Sequence, residues 1–169
     1  MRGSVRDAEF SEYVAGRRAQ LRRTAYLLCG DAHRAEDLVQ TTLMKVYVAW
    51  PRISRDGNVD AYTRRVMVNA HIDETRRAWR REWPGVEEHD VPAAVEGSPE
   101  DRDLVLAALA GLPPRQRAAV VLRHYWGLSV QETADDLGCS TGTVKSQTSH
   151  ALRRLGSALS PHYEERSGR

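Results

Sequence analysis

Between Pro84 and Pro99 this chain stops offering much to bury. Pro84, Gly85, Pro92, Gly97 and Pro99 punctuate the stretch, and few large apolar residues lie between them. Residues 84–104 carry seven acidic side chains and one basic one. Such a segment cannot bury enough surface to fold alone and reads as a linker. A chain of 169 residues interrupted in this way cannot build one continuous core. It predicts two small domains, residues 1–83 and 99–159, a tether over 84–98 and a short polar tail over 160–169. Both flanks are basic, net +5 over residues 1–83 and net +3 over 105–169. Two basic blocks around an acidic stretch suggest a nucleic-acid partner.

The flanks are helical in pattern, with no convincing alternating strand, so the expected fold class is all-α. A helix over residues 7–29 carries Phe10, Val14, Leu21, Ala25 and Leu28 on one stripe and ends at Gly30. A second, over 32–50, repeats Val39, Leu43, Val46, Tyr47 and Trp50 at helical spacing and is expected to stop at Pro51. A polar loop should follow over 52–58. The third helix, over 60–81, has an apolar stripe of Val68, Ile72, Thr75 and Trp79. A polar stripe runs beside it through Arg65, Asn69, Arg76 and Arg80, with Asp73 and Arg77 adjacent. After the tether, Ser98-Pro99-Glu100-Asp101 has a cap serine, a proline at the first helical position and an acidic first turn. That helix reaches Gly111, and Pro113-Pro114 opens another through about residue 126.

Residues 129–155 are more specific. Ser129 and Glu132 form a capping box, Gly138 suits a left-handed turn, and Ser140 caps a second helix. The exposed residues of that helix are expected to be Lys145, Ser146, Gln147, Ser149, His150, Arg153 and Arg154, with Val144, Ala151, Leu152 and Leu155 facing the core. A short helix, a glycine turn and a polar, basic helix are what lays a helix in a DNA major groove.

Other classes find no support. Cys29 and Cys139 have neither CxxC nor metal-ligand spacing, and read as buried free thiols rather than a disulfide framework or a zinc site. No cofactor or metal is expected. No apolar run approaches the roughly 18 residues of a membrane span, and no signal core follows the early arginines, so a cytoplasmic protein without membrane insertion is expected. A glycine-rich phosphate loop, an HExxH motif and a nucleophile elbow are all missing, which argues against an enzyme.

Leu112-Pro113-Pro114-Arg115-Gln116-Arg117, Val120-Val121-Leu122-Arg123-His124-Tyr125, Leu128-Ser129 and Gly142-Thr143-Val144-Lys145-Ser146 together resemble the fourth conserved region of sigma-70-family transcription initiation factors. Ala35-Glu36-Asp37-Leu38-Val39-Gln40-Thr41-Thr42, followed by Val46-Tyr47 and Trp50, is similar to that family's second region. So is Tyr62-Thr63-Arg64-Arg65-Val66-Met67-Val68-Asn69 with Ile72-Asp73 and Arg76-Arg77. Nothing between the two halves corresponds to the extra regions of primary sigma factors, so the chain resembles the small extracytoplasmic-function (ECF) group.

The resemblance implies a monomer that binds core RNA polymerase at the clamp coiled coil of the largest subunit and at the flap region. It implies promoter DNA as partner, both double-stranded and melted, and for many members an anti-sigma factor. Asp37, Leu38, Gln40 and Thr41 would dock on the polymerase; their mixed, weakly charged surface suits a protein partner. Tyr62, Arg65, Asn69, Asp73, Arg76 and Arg77 would contact the minus-ten element. An amide such as Asn69 can both donate to and accept from a base edge while arginines hold phosphates. Thr143, Lys145, Ser146, Gln147, Ser149, His150 and Arg153 would face the minus-thirty-five element. Gln147 and His150 stand where the commoner pattern has arginine, so no promoter sequence carries over, and His150 stays open between a base contact and an exposed surface histidine. The linker acids Glu87, Glu88, Asp90 and Glu96 suit either a solvated tether or a path through the polymerase RNA channel. Extended, such a tether spans roughly 45 Å. The competing reading is an ordinary helix-turn-helix repressor or activator whose first domain dimerises or senses a ligand.

Overall fold

The computed structural model describes residues 2–82 and 103–167, with side chains over 3–81 and 104–161. The expectations for the tether, its acids and the Ser98 cap lie outside the described residues. All the described elements are helical. They are α1 (Arg2–Cys29), α2 (Ala32–Asp56), α3 (Val59–Glu82), α4 (Asp103–Ala110), α5 (Pro114–Val120) with a π-helical turn (Val121–Tyr125), α6 (Val130–Leu137) and α7 (Thr141–Ser167). By contact the chain divides into two units, Met1–His71 and Ile72–Arg169.

In the first unit α1 folds back on α2 through Gly30 and Asp31. Gly30 takes φ 69°, a left-handed conformation that suits glycine. Asp31 then caps α2, its side chain accepting from the Arg34 amide at 2.8 Å. One buried line runs the length of α2: Ala35, Leu38, Val39, Thr42, Leu43, Val46, Trp50 and Ile53. Leu21, Ala25 and Leu28 of α1 and Met67 and Val68 of α3 are buried as well. Phe10 and Tyr13 close one end against Trp50, with ring centroids 5.4 and 5.3 Å away.

Pro51 does not stop α2, which runs on to Asp56 and ends at Gly57 with φ 75°. Residues 52–56 of the expected loop are therefore helical. A proline inside a helix leaves the carbonyl four residues earlier without its donor. Here that carbonyl belongs to Tyr47, and the Arg6 guanidinium of α1 donates to it. The same guanidinium lies 4.0 Å over the Tyr47 ring, and the Tyr47 hydroxyl donates to Asp7 at 2.7 Å. The first turns of α1 thus supply what Pro51 removes.

A second cross-link ties α1 to the start of α3. Arg17 grips Asp60 in a fork, with both N–H···O distances 2.9 Å. The Tyr13 hydroxyl lies 3.1 Å from Asp60 Oδ1 and 2.9 Å from Thr63 Oγ1. It has one proton, so it donates to the carboxylate and accepts from the threonine. Burial is the main reason the Tyr13 phenol is raised to about 12. The Arg17 hydrogen bonds hold the Asp60 carboxyl below its ordinary value. A lowered carboxyl contributes stability above the unfolded-state value near ~3.9 and loses it as pH falls through the folded value. Nearly half of the Asp60 side chain is exposed, so screening limits the pair to about 1 kcal/mol. Asp60→Asn is expected to lower stability by about that much at neutral pH, with the gap from wild type closing below about pH 4. Urea unfolding at the two pH values measures it; an equal gap at both would reject the ion pair as its origin.

In the second unit Leu109, Leu112, Ala118, Val121, Leu122, Leu128, Ala134, Leu137, Val144 and Ala151 form the core. The helix opened by Pro114 does reach Tyr125, but its last turn widens: the Trp126 amide donates to the Val121 carbonyl, five residues back, at 3.1 Å. Gly127 (φ 69°) then reverses the chain, and the Arg123 guanidinium donates to the Leu128 carbonyl. α7 continues through Pro161 to Ser167, so the expected tail is helical over most of its length. Cys29 and Cys139 are half-buried rather than buried. Cys29 Sγ lies 3.7 Å from His71 Nδ1, and burial pushes the Cys139 thiol up.

Candidate nucleic-acid interface

The helix-turn-helix is built by local hydrogen bonds. Ser129 Oγ accepts from the Glu132 amide at 3.0 Å, and the Glu132 carboxylate accepts from the Ser129 amide at 2.7 Å. Both halves of the capping box are therefore made. Gly138 ends α6 with φ 63°, where a side chain would be strained. Ser140 Oγ accepts from the Thr143 amide at 3.1 Å and starts α7.

Val144 and Ala151, seven residues apart, are fully buried and fix which way α7 faces. Thr143, Lys145, Ser146, Ser149, His150 and Arg153 are consequently exposed, and Gln147 is half-buried at the edge. The Thr143 hydroxyl is 2.9 Å from Ser140 Oγ, so it is partly committed to the cap. Leu152 departs from expectation: it is 46% exposed. It stands one position beyond Ala151, about 100° around the helix from the buried line.

On α3, Tyr62, Arg65 and Asn69 share one face at spacings of three and four. Tyr62 is half-buried against Val46, Trp50 and Ile53, and the Arg52 guanidinium lies 5.4 Å from its ring. Arg65 is exposed. Asn69 Nδ2 donates to the Arg65 carbonyl at 2.9 Å, which occupies one of the amide donors expected to serve a base. Farther along the same helix, Asp73 and Arg77 are exposed and Arg76 is half-buried.

On α2, Asp37, Gln40 and Thr41 are exposed, but Leu38 is not. Leu38 is 2% exposed and belongs to the buried line, so it has no side chain to offer a partner. The apolar residues on the open side are Met44, 70% exposed, and Val48, 77% exposed. With Asp37 and Thr41 they recur at intervals of three and four along one face. Leu38 sits within the resembling motif and they do not. The available signal was that both lie off the apolar line through Val39, Leu43, Val46 and Trp50.

Among the described residues no group of three or more His, Cys, Asp or Glu side chains could hold a metal. No helix among them is long and apolar enough to cross a membrane.

Comparisons with known proteins cover both halves. The family model for sigma-70 region 2 matches residues 14–81, and that for sigma-70 region 4 matches residues 102–155. The chain is 43% identical over 160 residues to the RNA polymerase sigma-E factor of Streptomyces avermitilis, covering 89% of this chain and 85% of that protein. It is 37% identical over 147 residues to the ECF RNA polymerase sigma factor SigL of Mycobacterium tuberculosis, covering 81% of each. The sigma factor RpoE of Bartonella quintana, solved in complex with the anti-sigma factor NepR, is similar in structure. The TM-score is 0.66 at 32% identity, over 90% of this chain and 97% of that one. CnrH, solved with the cytosolic domain of CnrY, shares the fold with a TM-score of 0.65 at 24% identity, over 92% of this chain and 90% of that one.

Proposed function

Since this chain belongs to the sigma-70 family, in its extracytoplasmic-function group, and is a transcription initiation factor that directs RNA polymerase to promoters, we propose a residue-level division of that work. α7 reads the minus-thirty-five element in the major groove through Lys145, Ser146, Gln147 and Ser149, with Thr143 at the edge of the face. α3 approaches the minus-ten element through Arg65 and Asn69, with Asp73, Arg76 and Arg77 farther along and Tyr62 behind. α2 docks on core polymerase through Asp37, Gln40, Thr41, Met44 and Val48. The role needs no catalytic chemistry of its own. An anti-sigma factor is a fitting partner, because similar sigma factors have been solved with theirs.

The observation that carries this division is the cap-defined helix-turn-helix whose second helix presents an exposed polar and basic face. Purified chain with core RNA polymerase should give promoter-specific transcript, while the chain alone binds DNA weakly. A dimer that binds a palindrome tightly without polymerase would sink the reading.

Gln147 offers the sharpest test of base reading. A glutamine amide pairs in two-fold fashion with adenine, whereas arginine prefers guanine. Gln147→Ala is expected to flatten preference at one position of the upstream element, by about 1–3 kcal/mol of discrimination, with polymerase binding unchanged. A library of upstream elements scored by transcription measures it; an unaltered preference at every position would reject the assignment.

A further inference from the structure

The donor that replaces the missing Pro51 amide comes from another helix. Arg6 of α1 is half-buried, its Nε is buried, and its guanidinium donates to the Tyr47 carbonyl. Its neighbours hold it there. The guanidinium lies 4.0 Å over the Tyr47 ring, and the Tyr47 hydroxyl donates to Asp7 at 2.7 Å. One turn on, the Phe10 ring meets Tyr47 edge-on with centroids 5.0 Å apart.

Beyond Pro51 the same helix carries Arg52 and Ile53. Ile53 is buried in one cluster with Val46 and Trp50, against which Phe10 and Tyr13 of α1 and Val59 and Tyr62 of α3 pack. The Arg52 guanidinium lies 5.4 Å from the Tyr62 ring. Tyr62 shares its face of α3 with Arg65 and Asn69. The direction in which residues 52–56 leave Pro51 therefore decides where Arg52 and Ile53 meet the start of α3. A helix bends at proline, and it also bends where water enters its hydrogen-bond ladder. Tyr47 is partly exposed, so water competes for its carbonyl. With Arg6 in place the carbonyl is occupied. Without Arg6 it turns to water, the bend opens, and the end of α2 shifts against α3.

We propose that Arg6 is a positioning residue for minus-ten recognition: by closing the break at Pro51 it fixes the last turn of α2, and with it the Arg52–Tyr62 pair, beside the polar face of α3. This rests on the reading that α3 approaches the minus-ten element. Arg6 touches no base in this role and acts through the bend of α2. Met44 and Val48 precede the proline, where the helix is held by its own hydrogen bonds. Docking on polymerase is therefore independent of Arg6, and base preference at the minus-ten element is not.

The test is a double-mutant cycle in polymerase holoenzyme assembled with the full chain. Pro51→Ala returns an amide that can donate to the Tyr47 carbonyl, which makes Arg6 redundant. Transcription from a library of minus-ten elements gives the base preference, and fluorescence anisotropy gives the affinity for core polymerase. In the otherwise wild-type chain, Arg6→Ala should flatten the minus-ten preference by about fivefold, the net worth of one hydrogen bond. Upstream-element preference and polymerase affinity should stay within about twofold of wild type. In the Pro51→Ala background the same replacement should change the minus-ten preference by less than about twofold. An unchanged minus-ten preference in Arg6→Ala overturns the proposal, even if total transcript or thermal stability falls. So does an equal loss in both backgrounds, because the effect of Arg6 would then not pass through Pro51. Failure of the underlying reading looks different: Arg65→Ala and Asn69→Ala would also leave the minus-ten preference untouched.

Discussion

Replacing both Met44 and Val48 by arginine is expected to weaken binding to core RNA polymerase by about a hundredfold or more while leaving the fold intact. Both side chains are more than two-thirds exposed on α2, so neither contributes to the core and the change should alter stability by less than about 0.5 kcal/mol. Two large apolar residues on an open helix face, flanked by Gln40, Thr41 and Asp37, have the make-up of an interface centre with a polar rim. Residues at such a centre are each worth about 2 kcal/mol or more when lost, and about 1.4 kcal/mol is a factor of ten in affinity. Arginine also places charge where a partner expects an apolar contact. Fluorescence anisotropy with labelled chain and purified core enzyme gives the affinity, and thermal unfolding gives the stability. An affinity within twofold of wild type would remove α2 from the docking surface. Tyr47 is unsuitable for the same test despite its exposure, because its ring and hydroxyl are already engaged by Arg6 and Asp7.

The parts of this protein legible from sequence are those whose causes are local. The capping box, the Gly138 turn and the Ser140 cap each involve residues within four positions of one another, and hydrogen-bond chemistry at that range is written in residue types. The phase of α7 was legible for Val144 and Ala151 but not for Leu152. Three apolar residues stand together at 151, 152 and 155, and only packing decides which of them face inward. The passage of α2 through Pro51 was not legible at all. It depends on Arg6, 41 residues from the carbonyl that it satisfies, and no local rule announces such a donor. The same holds for Tyr13, Arg17 and Asp60, whose cross-link spans more than 40 residues. Asn69 shows the limit for the site. Its type suits a base edge, yet one donor turns back to its own helix.

Leu38 separates a motif residue from a contact residue, and Leu38→Arg is expected to unfold the first unit rather than to release polymerase from a folded chain. Its neighbours on the buried line, Ala35, Val39 and Thr42, are at most 5% exposed, and no acidic residue of that line could pair with an arginine. Removing the leucine side chain alone costs about 2–5 kcal/mol at such a site. An uncompensated buried charge adds about 3–5 kcal/mol. A small domain has only about 5–15 kcal/mol to lose, so the variant should show no cooperative transition for this unit in circular-dichroism melts. Its second unit, whose core is its own, should still melt. Leu38→Met keeps volume and apolarity and should cost less than about 1.5 kcal/mol with polymerase affinity near wild type. A cooperatively folded Leu38→Arg chain that has lost only its polymerase affinity would return Leu38 to the docking surface and contradict its burial.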